Sequence, residues 1–116
     1  MLEVIRHEQG DIPLNIVSGY RTQAYNDNLY KTTGTTSMHI LAAAADIKSK
    51  IGYHKLGVIC KKLYDDGVIG GLGLGYNMLH VDIRHLIPYK TRKNMWFYKD
   101  RNGVKYKNYN DWYNKT

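Results

Sequence analysis

The sequence predicts one domain that mixes α-helices with short β-strands, and three observations predict it. The chain has 116 residues, 43% apolar and 23% charged. That is the size and balance of one globular domain of about 100–150 residues, with no room for a second independent core. Leu56, Ile59, Cys60 and Leu63 recur at helical spacing. Met78 to Arg84 alternates between apolar and ionisable side chains, which is the period of a strand with one face buried.

The elements follow in order. Residues 2–9 read as the end of a helix, in shortened form. Pro13 interrupts it, and Leu14 to Val17 reads as a strand. Ser18-Gly19-Tyr20-Arg21 ends that strand, with Gly19 permitting a tight bend. Residues 22–30 are expected to be helical with Thr22 as N-cap, and Lys31 to Ser37 a polar loop. Met38 to Ile47 is apolar except for His39 and Asp46, and its periodicity admits helix or strand. Residues 53–65 form the main helix, with Gly67 as the stop.

Gly70-Gly71-Leu72-Gly73-Leu74-Gly75 lacks the Lys-Ser/Thr ending and following helix of a phosphate loop. A bend, or close backbone approach within a sheet, is expected instead. In the strand at 78–84, Leu79, Val81 and Ile83 are expected to face the core, and His80, Asp82 and Arg84 the other side. Asn102-Gly103 between Trp96-Phe97-Tyr98 and Val104-Lys105-Tyr106 signals a hairpin.

Charge divides the chain unevenly. The net charge is +7, and the first 83 residues carry 8 basic and 8 acidic side chains. The last 33 carry 9 basic and 2 acidic, together with both tryptophans and five of the eleven tyrosines. A neutral body is thus followed by a basic, aromatic C-terminal extension at about 88–116. The lone Cys60 excludes an intramolecular disulfide and a Cys-rich zinc cluster, and its apolar setting predicts a buried thiol. No apolar run approaches the roughly 18–20 residues of a membrane span. The N-terminus shows no basic-then-apolar leader.

Two polar residues, His39 and Asp46, interrupt an alanine-rich apolar stretch, and His80 lies on the alternating strand. Imidazole and carboxylate both ligate zinc, and three protein ligands leave a fourth position for water, the catalytic arrangement. Zinc chemistry of that kind is hydrolytic. Spacing alone does not separate such ligands from packed or surface residues.

The surrounding residues add to this. Ser18-Gly19-Tyr20-Arg21, then Ser37-Met38-His39 with Ala44-Ala45-Asp46-Ile47, then Leu79-His80-Val81-Asp82-Ile83-Arg84 occur in one order over residues 18–84. In these pieces the chain resembles the peptidoglycan-directed zinc peptidases of the D-alanyl-D-alanine carboxypeptidase family, peptidase M15, particularly its small members. The resemblance implies an α+β fold, a small antiparallel sheet with flanking helices, of the LAS/hedgehog type. It implies Zn2+ as cofactor with His39, Asp46 and His80 as ligands. It places Arg21 near the substrate, where a guanidinium holds a peptide carboxylate or a developing oxyanion, and Ser37 where it helps bind the peptide.

One position departs from the family pattern. The family's general base, an acidic residue three before the last histidine, is Asn77 here, and an amide takes no proton from a water. Asp82, on the same strand face as His80, is the alternative base. Equally, it is a carboxylate that orients His80 or pairs with Arg84.

The implied activity is zinc-dependent hydrolysis in peptidoglycan stem peptides, as a carboxypeptidase or as an endopeptidase of the endolysin kind. Such a protein acts on the cell wall and is phage- or prophage-encoded or a module of a larger protein. The alternative is a catalytically silent, zinc-containing cell-wall binding module. The extension suits contact with a cell-wall polyanion or glycan. It equally suits aromatics packed on the body with lysines guarding an edge. Nucleic-acid binding would leave His39, Asp46 and His80 without a purpose.

Overall fold

The computed structural model describes residues 1–18, 44–87 and 92–116. Three helices are described: α1 (Leu2–Glu8), α2 (Gly52–Asp65) and α3 (Tyr109–Lys115). Five strands form one sheet: β1 (Asn15–Ser18), β2 (Ala44–Lys48), β3 (Gly71–Leu74), β4 (Leu79–Asp82) and β5 (Asn94–Phe97), in the spatial order β1-β2-β4-β3-β5. The class is α+β, as the sequence predicts. The expected antiparallel sheet accounts for β1 to β4, but β5 adds beside β3 in parallel, so the sheet is mixed.

The ambiguous apolar stretch resolves as β2 over its described part. Ala45 and Ile47 face the core, and Asp46 faces away. The expected helix at 22–30 and loop at 31–37 lie outside the described residues.

α2 buries Leu56, Gly57, Cys60 and Leu63 along one stripe. Its end follows from Gly67, at φ +81°. The Val68 amide returns to the Leu63 carbonyl and the Gly67 amide to that of Tyr64, a closing pair of bonds that glycine permits without strain. Cys60 is fully buried, and burial pushes its thiol pKa up, leaving it protonated and unreactive.

One core joins the elements. It contains Ile5 of α1, Ile47 of β2, the stripe of α2, Leu72 and Leu74 of β3, and Leu79 and Val81 of β4. Ile83 departs from the expected alternation. The strand ends at Asp82, a 3-10 turn follows at Arg84–Leu86, and Ile83 packs in a small separate cluster with Ala44 and Ile87.

The C-terminal segment is a structural part of the body. Tyr106 and Trp112 are buried in the same core, and the Trp112 indole donates to the Gly75 carbonyl at 3.1 Å. Asn102-Gly103 does make a tight turn, but the pairing beside it is one bridge, Lys99 with Lys105. The Asp100 carboxylate accepts from the Asn102 and Val104 amides and takes up donors inside the turn. The chain then enters α3. No described helix is long and apolar enough to cross a membrane.

Candidate functional site

Strand register places the chemistry in two rows across the sheet. In the first, Asp46 of β2 pairs with His80 of β4, His80 with Gly73 of β3, and Gly73 with Trp96 of β5. In the second, the partners are Ala44, Asp82, Gly71 and Asn94. Because side chains alternate, Ala45, Ile47, Leu79 and Val81 go to the core, and Asp46, His80 and Asp82 share the opposite face.

The glycines of β3 make that face possible. A Cβ on Gly71 would run into the Asp82 carboxylate, and one on Gly73 would lie 2.6 Å from Trp96 Nε1. The carboxylate and the indole therefore lie over bare backbone. This is the close approach expected from the glycine-rich run.

Asp82 is wholly buried. Its Oδ1 accepts from the Arg84 amide at 3.0 Å and from Arg84 Nε at 3.1 Å. Its Oδ2 accepts from Arg84 Nη2 at 2.8 Å and lies 2.7 Å from His80 Nε2. Burial alone would raise the carboxyl pKa, but the bonds from His80 and Arg84 outweigh it and hold it down to about 2. Asp82 is thus ionised at neutral pH and can only accept.

That fixes the histidine. An ionised Asp82 requires the proton of His80 on Nε2, which leaves Nδ1 with a lone pair in the neutral ring. Nδ1 lies 3.3 Å from Asp46 Oδ1. Two acceptors facing each other at that distance repel unless positive charge stands between them, either a proton on the ring or a cation. Burial would lower the pKa of His80, but its contacts with Asp46 and Asp82 outweigh this and raise it. The site therefore favours positive charge at Nδ1.

The spacing also suits a metal. Nitrogen and oxygen ligands at about 2.0–2.1 Å from a tetrahedral zinc lie about 3.3 Å from each other. With Nδ1 toward the ion and Nε2–H on a carboxylate, His80 has the usual environment of a ligating imidazole. Among the described residues no group of three His, Cys, Asp or Glu side chains converges to hold a metal. His39 lies outside the described residues, as do Arg21 and Ser37.

Asn77 is exposed in the turn between β3 and β4. His85 turns toward the end of α2, where Nε2 donates to the Gly67 carbonyl at 2.7 Å. A family model described as Peptidase M15 matches residues 1–82. The chain belongs to the peptidase M15 family. Peptidases of this family generally depend on zinc, and membership supports a peptidase-type function. No curated protein and no solved structure matches the chain.

The M15 match ends at Asp82 and so includes Asp46 and His80. Two further residues of the site lie beyond it. The Arg84 guanidinium clamps Asp82, a placement that the alternation of β4 foreshadows. The Trp96 ring lies 4.9 Å from the His80 ring and 4.8 Å from the Arg84 guanidinium carbon. Nothing in the sequence near Trp96 signals this, because it depends on the parallel docking of β5.

Proposed function

We propose that this M15 protein is a zinc-dependent peptidase acting on the stem peptides of peptidoglycan. The observation that carries the reading is the close approach of two ligand-type atoms, His80 Nδ1 and Asp46 Oδ1, 3.3 Å apart on adjacent strands. His80, Asp46 and His39 would hold the ion. When bound, zinc supplies a Lewis acid that polarises the scissile carbonyl and activates water. Arg21 holds the substrate carboxylate or stabilises the oxyanion, and Ser37 contributes a hydrogen bond to the peptide.

Of the two roles open to Asp82, the geometry favours orientation. Both its oxygens are engaged, it has no solvent exposure, and a carboxyl held near pKa 2 is a weak base at neutral pH. It keeps the Nε2 proton in place and so points the Nδ1 lone pair at the ion. The exposed cations Lys99, Arg101, Lys105 and Lys107 suit contact with anionic wall polymers.

The test is mass spectrometry of purified peptidoglycan fragments after incubation, with and without chelator. Loss of a terminal alanine, suppressed by chelator, identifies a carboxypeptidase. Cleavage inside the stem or cross-bridge identifies an endopeptidase. Asn77 favours a second reading, a cell-wall binding module that keeps its metal without turnover. Unchanged fragments across wall types, with zinc supplied, together with retention on intact walls, would establish that module instead.

A further inference from the structure

We propose that Trp96 is a positioning residue for His80, supplied to the site by a strand outside the segment shared with the family. The inference rests on the metal-binding reading of Asp46 and His80. The contacts of His80 at its two ring nitrogens, Asp82 at Nε2 and Asp46 beside Nδ1, fix where the imidazole edge points. They leave the ring free to rock about that line, and a rocking ring sweeps the Nδ1 lone pair out of the ion's position.

Trp96 closes that freedom. Its indole bridges over Gly73, which separates β5 from β4, and packs against the His80 ring at 4.9 Å and 50°. The Arg84 guanidinium lies on the same indole at 4.8 Å while its nitrogens grip Asp82. One ring therefore braces both the ligand and the residue that holds the ligand's carboxylate partner. A cation over an indole is an attractive contact, and aromatic faces at this separation attract as well. The arrangement needs no side chain at position 73, and glycine is what stands there.

Three variants separate bracing from mere filling. Trp96→Leu keeps an apolar side chain in β5 but removes the ring, and Trp96→Phe restores a ring. Gly73→Ala leaves Trp96 in place but drives a methyl group into its indole nitrogen. Metal-free wild type and the three variants are titrated with Zn2+ by calorimetry and with Co2+ by its visible ligand-field bands. Folding is checked by circular dichroism.

We expect Trp96→Leu and Gly73→Ala to lose about 10-fold to 100-fold in metal affinity, the range seen when the support of a ligating histidine is removed, with shifted Co2+ bands. Trp96→Phe should stay within about threefold of wild type on the same scale. Wild-type affinity and unshifted bands in both Trp96→Leu and Gly73→Ala would overturn the inference and leave the metal reading intact. If Trp96→Leu does not fold, Gly73→Ala and Trp96→Phe decide alone. Wild type that binds neither ion would overturn the metal reading, and the inference with it.

Discussion

At Asp82, four donors from two residues converge on two oxygens within 2.7–3.2 Å. Replacing that carboxylate by an amide turns one oxygen into a donor, which must then face the Nε2 proton of His80 or the guanidinium of Arg84. Asp82→Asn should therefore weaken Zn2+ binding by about 10-fold to 100-fold, as loss of an orienting carboxylate does, measured by calorimetry on the metal-free protein. Lost turnover with wild-type affinity would make Asp82 the base instead. At this scale part of the site was legible. Family motifs single out Asp46 and His80, which the structure brings to 3.3 Å of each other, and strand alternation puts Arg84 beside Asp82. The proton on Nε2 was not legible, because it follows from how deeply Asp82 is buried and how many donors reach it.

Elements show propensity and packing in conflict. Gly57 stands inside α2, where alanine would be favoured by about 1 kcal/mol on helix propensity alone. A Cβ there would lie 2.5 Å from the Trp112 ring and 3.2 Å from Leu74. Trp112 is completely buried and has nowhere to move. Overpacking of this kind costs about 1–3 kcal/mol, so packing wins. Gly57→Ala should destabilise the protein by about 1 kcal/mol net, read by thermal or denaturant unfolding; a raised Tm would contradict the account. The same comparison applies to β3. Its glycines weaken a strand taken alone, yet they leave the space into which Asp82 and Trp96 fit. α3 was missed although its signal is local. Asn108 caps the Asp111 amide at 2.9 Å, and Asp111 accepts from the Lys107 amide, an arrangement like a capping box. The Asn102-Gly103 signal between strand-like runs pointed to a hairpin there instead.

Over the whole molecule, the basic C-terminal segment and the neutral body share one interior. Trp112 docks on α2 and bonds to Gly75, at the end of β3. Trp112→Ala should cost about 3–5 kcal/mol, out of a total of about 5–15 kcal/mol for a domain. That lowers Tm by roughly 10–20 °C at this chain length. Calorimetric melting tests this, and a change of only a few degrees would mean that the segment is an appendage after all.

The sequence by itself determined the α+β class, the main helix read at 53–65 with its glycine stop, the strand faces around His80, and the family. These depend on local periodicity, local turn chemistry or a contiguous motif, all written within a few neighbouring residues. Tertiary structure alone decided that β5 joins in parallel, that Trp96 reaches His80 across Gly73, and that Trp112 fills the core above Gly57. Each brings together residues 16 to 55 positions apart. Such pairings are selected by the shape and burial of the assembled core, which no local pattern encodes.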